Sequence, residues 1–215
     1  MPGPLRWLFD AAKKVYHAMR GERREASVRI DPRLRESFQA AARERGLMAG
    51  LVDDLFSEKA TLQQWTLDFR ENLKQAYIAQ YLVAKGGREN MTQEDWGRLG
   101  GLLRNQYQYL NGFAQDLADG KLSQAQARIR AEMYLDSARQ SFERGKTVGT
   151  GIPDLPAYPC DGSAECRTND RCSWRIEETE GGWNCFWVLD PQAEHCDTCL
   201  ERAGYWNPLF VARPF

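Results

Sequence analysis

The chain has 215 residues, 42% of them hydrophobic and 27% charged, with a formal net charge of −1. That is enough apolar material to bury a core, and it excludes wholesale disorder and a general affinity for polyanions. The longest apolar runs, such as residues 186–189, fall far short of the roughly 20 residues of a membrane helix. The basic N-terminus lacks the unbroken apolar stretch of a secretory signal, so neither a membrane span nor export is expected.

Charge is unevenly placed along the chain. Residues 1–45 carry eleven Lys and Arg against six Asp and Glu, whereas residues 151–215 carry five against eleven. Opposed ends suit docking on two different surfaces. Composition also changes near residue 150. All six cysteines lie between Cys160 and Cys199, and six of the nine prolines follow residue 150. Proline is tolerated in few helical positions, so a helical body gives way there to a turn-rich module. The organisation expected is a basic amphipathic arm over 1–27, a helical body over 28–148, and a Cys-rich module with a C-terminal tail over 149–215.

In chain order, Leu5, Leu8, Phe9, Ala12, Val15, Tyr16 and Met19 form one apolar stripe at helical spacing, with Arg6, Lys13, Lys14 and Arg20 largely elsewhere. This arm suits a partner protein better than a membrane surface. Asp31-Pro32 reads as an N-cap followed by proline at the first helical position, opening a helix through Leu34 and Phe38. Thr61 and Gln64 fit a capping box before Leu62, Trp65, Phe69, Leu73, Ala76 and Tyr77, and Gly86-Gly87 ends that helix. Thr92 caps the next, with Asp95 in its first turn. Trp96, Leu103, Leu110 and Leu117 recur every seven residues with Leu99 and Phe113 between them, a seam for a long antiparallel partner. Asn111-Gly112 marks a place for a kink, and Asp119-Gly120 closes the element. Ser123 and Gln126 open a last helix through Ile129, Met133, Tyr134 and Phe142 to Gly145. Short connections between these helices imply antiparallel neighbours.

The cysteines are spaced Cys160-x5-Cys166-x5-Cys172-x12-Cys185-x10-Cys196-x2-Cys199. A two-residue gap lets Cys196 and Cys199 reach one tetrahedral ion. Between the cysteines, the alternation from Cys172 to Ile176 and from Trp183 to Leu189, with Gly181-Gly182 between, predicts a β-hairpin. A short helix is expected from Cys199 to about Ala203. The fold class is therefore mainly α, an antiparallel helical body with a small C-terminal zinc-ribbon-like hairpin module. The most economical structural zinc site is Cys166, Cys172, Cys196 and Cys199. Cys185 is packed with Trp183 and Trp187 or replaces one of the four, and His195 and Cys160 are the other substitutes. Disulfides are the competing reading, with 15 possible pairings, Cys160 with Cys185 among them. A redox dithiol at Cys196 and Cys199 is a further one, although the surrounding body lacks the strand and helix order that chemistry favours.

Phosphate-binding loops, dinucleotide fingerprints and the H-E-x-x-H motif are all absent, and only His17 and His195 offer imidazoles. Four protein ligands would close a zinc site to catalysis. An enzyme is not expected. Nucleic-acid binding is a minor alternative, because the module that would carry it is acidic.

The run Cys166-Arg-Thr-Asn-Asp170-Arg-Cys172-Ser-Trp174 and the later His195-Cys196-Asp-Thr-Cys199-Leu200 resemble the Cys-rich C-terminal signature of tailed-phage minor head proteins of the Mu head-morphogenesis type. Asp170 stands where that pattern has a cysteine, and the large mixed domain that precedes it in those proteins is missing. The resemblance covers residues 155–208. It implies a virion structural protein, present in the host cytoplasm during assembly. Such a protein contacts capsid, portal or neck proteins and works as a homo-oligomer or symmetric array. The apolar C-terminal stretch from Trp206 to Phe215 either adds to a neighbouring subunit or folds back on its own module.

Overall fold

The computed structural model describes residues 32–214; the expected arm over residues 1–27 and the Asp31 cap lie outside them. Among the described residues, five α-helices make the body: α1 (Pro32–Phe56), α2 (Leu62–Lys85), α3 (Gln93–Ala118), α4 (Gln124–Ser137) and α5 (Arg139–Gly149). The module follows, with β1 (Ser173–Thr179), β2 (Gly182–Val188), α6 (Asp197–Tyr205) and β3 (Leu209–Ala212). The chain is thus mainly helical, with a small antiparallel sheet at its C-terminal end.

Local chemistry sets the helix ends. The Thr61 hydroxyl accepts from the Gln64 backbone N–H at 3.2 Å, but the Gln64 side chain turns to Asp68 instead of closing the capping box. Gly86 adopts φ 76° and ends α2 with its N–H on Val83, and the Asn90 amide covers the Lys85 and Gly86 carbonyls. Thr92 with Asp95 and Ser123 with Gln126 form complete capping boxes at α3 and α4. Asp95 does more than cap. Fully buried, it accepts from the Tyr81 hydroxyl at 2.7 Å and pairs with Lys85 at 3.2 Å, tying the start of α3 to α2.

α2 is the central helix, flanked by α1, α5 and α3. Trp65, Phe69, Phe113 and Tyr134 meet at ring-centroid distances of 4.9 to 5.9 Å, mostly edge to face. Around them pack Met48, Val52, Leu73, Tyr77, Leu99, Leu103 and Leu110. Leu99, Leu103, Leu110 and Phe113 face this core as their spacing predicts, and α3 runs as one helix through Asn111 and Gly112, both exposed.

The element expected from Ser123 to Gly145 is two helices. Ala138 ends α4 with its N–H on Leu135, and Ser141 turns back onto the Ala138 carbonyl, so the axis is re-aimed there. The burial phase of α4 also differs from expectation. Ala127, Ala131 and Tyr134 face inward, whereas Ile129 is 62% and Met133 40% exposed. After this break α5 packs closely against α2. The Ser141 hydroxyl donates to the Tyr77 carbonyl at 2.7 Å, and a Cβ at Gly145 would stand 2.9 Å from that of Ala84. Only glycine allows this approach.

In the module, β1 and β2 pair with Trp174 opposite Trp187 and Ile176 opposite Cys185, and the connecting turn is Glu180-Gly181. Gly182 opens β2, where a side chain would collide with the Val211 carbonyl. The tail folds back: Leu209–Ala212 pairs with β2, making a three-stranded sheet in the order β1-β2-β3 instead of a lone hairpin. Trp174, Trp187 and Trp206 stack into a second core with Ile152, Tyr158, Cys172, Cys185 and Cys199.

Candidate metal centre

Helix α5 fixes the loop that carries the first cysteines. The Arg139 guanidinium donates to the carbonyls of Asp170 (3.1 Å), Arg171 (3.2 Å) and Cys172 (3.0 Å). The fully buried Glu143 accepts from the Trp174 N–H at 3.1 Å, and Lys146 bridges Glu143 (2.7 Å) to the Trp174 carbonyl (2.7 Å). Three polar residues on one face of α5 thus hold the backbone of residues 170–174. Charged hydrogen bonds of this kind are the strong ones. No motif in the sequence announces them.

From the other side, Cys196 caps α6 and Cys199 lies in its first turn. The sulfur atoms of Cys166 and Cys199 come to 3.7 Å, and Cys166, Cys196 and Cys199 all lie within 4.8 Å of one another. Two thiolates on a tetrahedral zinc at about 2.3 Å stand about 3.8 Å apart, a spacing that the Cys166–Cys199 pair matches. Cys172, the fourth expected thiolate, meets Cys199 in a second group with Asp170, again within 4.8 Å. A Cys-rich cluster able to hold a metal ion is therefore built where the 160s loop meets α6.

Two residues beyond the four thiols adjoin the cluster. Asp170 is buried; its Oδ1 accepts from the Cys172 N–H at 2.8 Å, and its Oδ2 lies 3.7 Å from the Cys199 sulfur. His195 has its Nε2 2.8 Å from the Asp190 carbonyl and its Nδ1 3.7 Å from the Cys172 sulfur. A carbonyl only accepts, so Nε2 carries the proton and the Nδ1 lone pair points at Cys172. Metal-bound histidines are fixed in this way.

The remaining cysteines stand apart. Cys160, in a left-handed conformation at φ 64°, donates to the Asp170 carbonyl at 3.0 Å. Cys185 is sealed in the sheet core beside the tryptophans. All six cysteines are free thiols, with no Cys160–Cys185 bridge.

The titration of the cluster fits a cation site. Burial, then the Asp170 charge and the neighbouring thiols, push the Cys166 thiol well up. Cys199 is driven up by its hydrogen bond with Cys172, then by burial and by Asp170. Cys196 moves the other way: burial opposes its ionisation, but the backbone hydrogen bonds of Cys199 and Cys166 outweigh it and lower its pKa. Cys166 and Cys199 are thus held toward the protonated form, while Cys196 is favoured as a thiolate. The donor set, sulfur with one imidazole and one carboxylate, suits zinc.

No helix among the described residues is long and apolar enough to cross a membrane. Comparison with family models, with curated proteins and with solved structures brings no match to this chain.

Proposed function

We propose that the protein is a structural component of a phage particle whose C-terminal module is held in shape by zinc bound through the thiolates of Cys166, Cys172, Cys196 and Cys199. The observation that carries the reading is the approach of Cys166, on the 160s loop, to Cys196 and Cys199, on α6. These segments lie some thirty residues apart in sequence and share only a small core. Bound zinc supplies a covalent-like crosslink that the module's own apolar burial cannot match. Its thiolates are scaffold in this reading and perform no turnover.

The virion assignment rests on the Cys166 to Trp174 and His195 to Leu200 runs, which resemble the phage minor-head signature. The architecture supports it. A helical body whose α5 clamps the module presents two joined surfaces of different character, suited to bridging capsid, portal or neck subunits in a symmetric array. Mass spectrometry of particles purified from cells carrying this gene tests the assignment. The chain is expected as a stoichiometric particle protein; its absence from particles, with the chain present in the lysate, contradicts the reading.

A further inference from the structure

The cluster holds more donors than one tetrahedral ion can use. Cys199 belongs to both groups: with Cys166 and Cys196 on one side, with Asp170 and Cys172 on the other. His195 Nδ1 joins the second group through Cys172, at 3.7 Å. Cys199 is thus the residue that the two groups share.

The geometry points to a centre of two divalent cations bridged by the Cys199 thiolate. The inner ion is bound by Asp170, Cys172, His195 and Cys199, and the outer one by Cys166, Cys196 and Cys199. This inference rests on the zinc-stapled reading above and deepens it. Three observations carry it.

In the inner set Asp170, Cys172 and Cys199 lie within 4.8 Å of one another; His195 Nδ1, 3.7 Å from the Cys172 sulfur, stands just outside that trio and is the donor that closes onto the ion to complete a tetrahedral shell. The outer set offers three donors at a partly exposed edge, where Cys166 and Cys196 reach solvent and water completes the shell.

Asp170 is a buried carboxylate, 3% exposed, with no Lys or Arg salt bridge among the described residues. Its side-chain partners are the Cys172 N–H and the Cys199 thiol. A buried carboxylate without a cation is strongly disfavoured. One divalent ion among four thiolates and this carboxylate leaves three negative charges uncompensated; two ions leave one.

His195 is the third. Its Nε2–H is anchored on the Asp190 carbonyl at 2.8 Å, which leaves the Nδ1 lone pair free beside the Cys172 sulfur at 3.7 Å. Adjacent residues rarely bind the same ion, which is an objection to His195 and Cys196 both serving a one-ion site. With two ions the objection disappears, since His195 serves the inner one and Cys196 the outer one.

The test is metal stoichiometry of the full chain, purified with zinc and dialysed, by elemental analysis per chain, with cobalt(II) titration as an independent readout. Two zinc ions per chain are expected, and a thiolate-to-cobalt charge-transfer band that keeps changing up to the second equivalent. Asp170→Asn and His195→Gln are each expected to lower the count from two to one while the far-ultraviolet circular dichroism of the body stays unchanged. One zinc per chain, with the cobalt band saturating at one equivalent, overturns the two-ion centre and leaves the zinc staple standing. Two zinc ions retained in both variants overturns the assignment of the inner ligands. No zinc at all overturns the staple itself.

Discussion

Asp95 shows how much one side chain can be asked to do. It caps α3, receives the Tyr81 hydroxyl and pairs with Lys85, all while fully buried. Burial alone would raise its pKa, but the Thr92 N–H, the Tyr81 hydroxyl and the Lys85 ammonium outweigh burial and hold it below the ordinary carboxyl value. A pKa lowered by folding gives stability that is present above the unfolded value and is lost as pH falls through the folded one. Replacing Asp95 by Asn is therefore expected to cost about 1–3 kcal/mol at pH 7. In urea titrations the gap between wild type and variant should shrink below about pH 4; a gap constant from pH 7 to pH 3 contradicts this role. Thr92 and Asp95 were readable as a helix start because capping chemistry is local. That Asp95 also reaches across to α2 was not, because Tyr81 and Lys85 are brought there only by the Gly86 turn.

At the scale of elements, sequence periodicity locates helices better than it locates their breaks. The Trp65, Phe69 and Leu73 stripe and the Leu99 to Phe113 seam face the core as their spacing requires. Ile129 and Met133 misled, because apolar side chains at helical spacing can lie on the outer face when small residues such as Ala127 and Ala131 take the inner one. The turn at Ala138 has no glycine or proline to signal it. Its reason is tertiary: Gly145 and Ser141 draw α5 against α2, which also turns Arg139, Glu143 and Lys146 toward the module. If this face of α5 positions the loop bearing Asp170 and Cys172, Arg139→Ala should weaken zinc retention about 10–100-fold in competition with a chelator. The helical circular dichroism should be unaltered. Unchanged zinc affinity in that variant would show the clamp to be irrelevant to the centre.

For the whole molecule, the cysteine spacing pointed to a module able to hold a metal, and Cys166, Cys196 and Cys199 do converge. His195 was readable only as a substitute ligand, and Asp170 only as a departure from the resembled pattern, for physical reasons. A single carboxylate in a polar run carries no periodic signal, and the value of His195 depends on an Asp190 carbonyl that only the folded loop supplies. The return of Leu209–Ala212 onto β2 was one of two open possibilities, decided by pairing across Gly182, where only a glycine lets the strands meet.

The body and the module differ in what holds them. Aromatic and aliphatic packing around α2 is extensive, whereas the module rests on a tryptophan stack and its thiols. Hydrogen exchange of the full chain before and after exhaustive chelation separates the two most directly. With the metal removed, amides of β1, β2 and α6 should lose protection while those of α2 and α3 keep theirs; undiminished protection across the module in verified metal-free protein would contradict a cation-held fold.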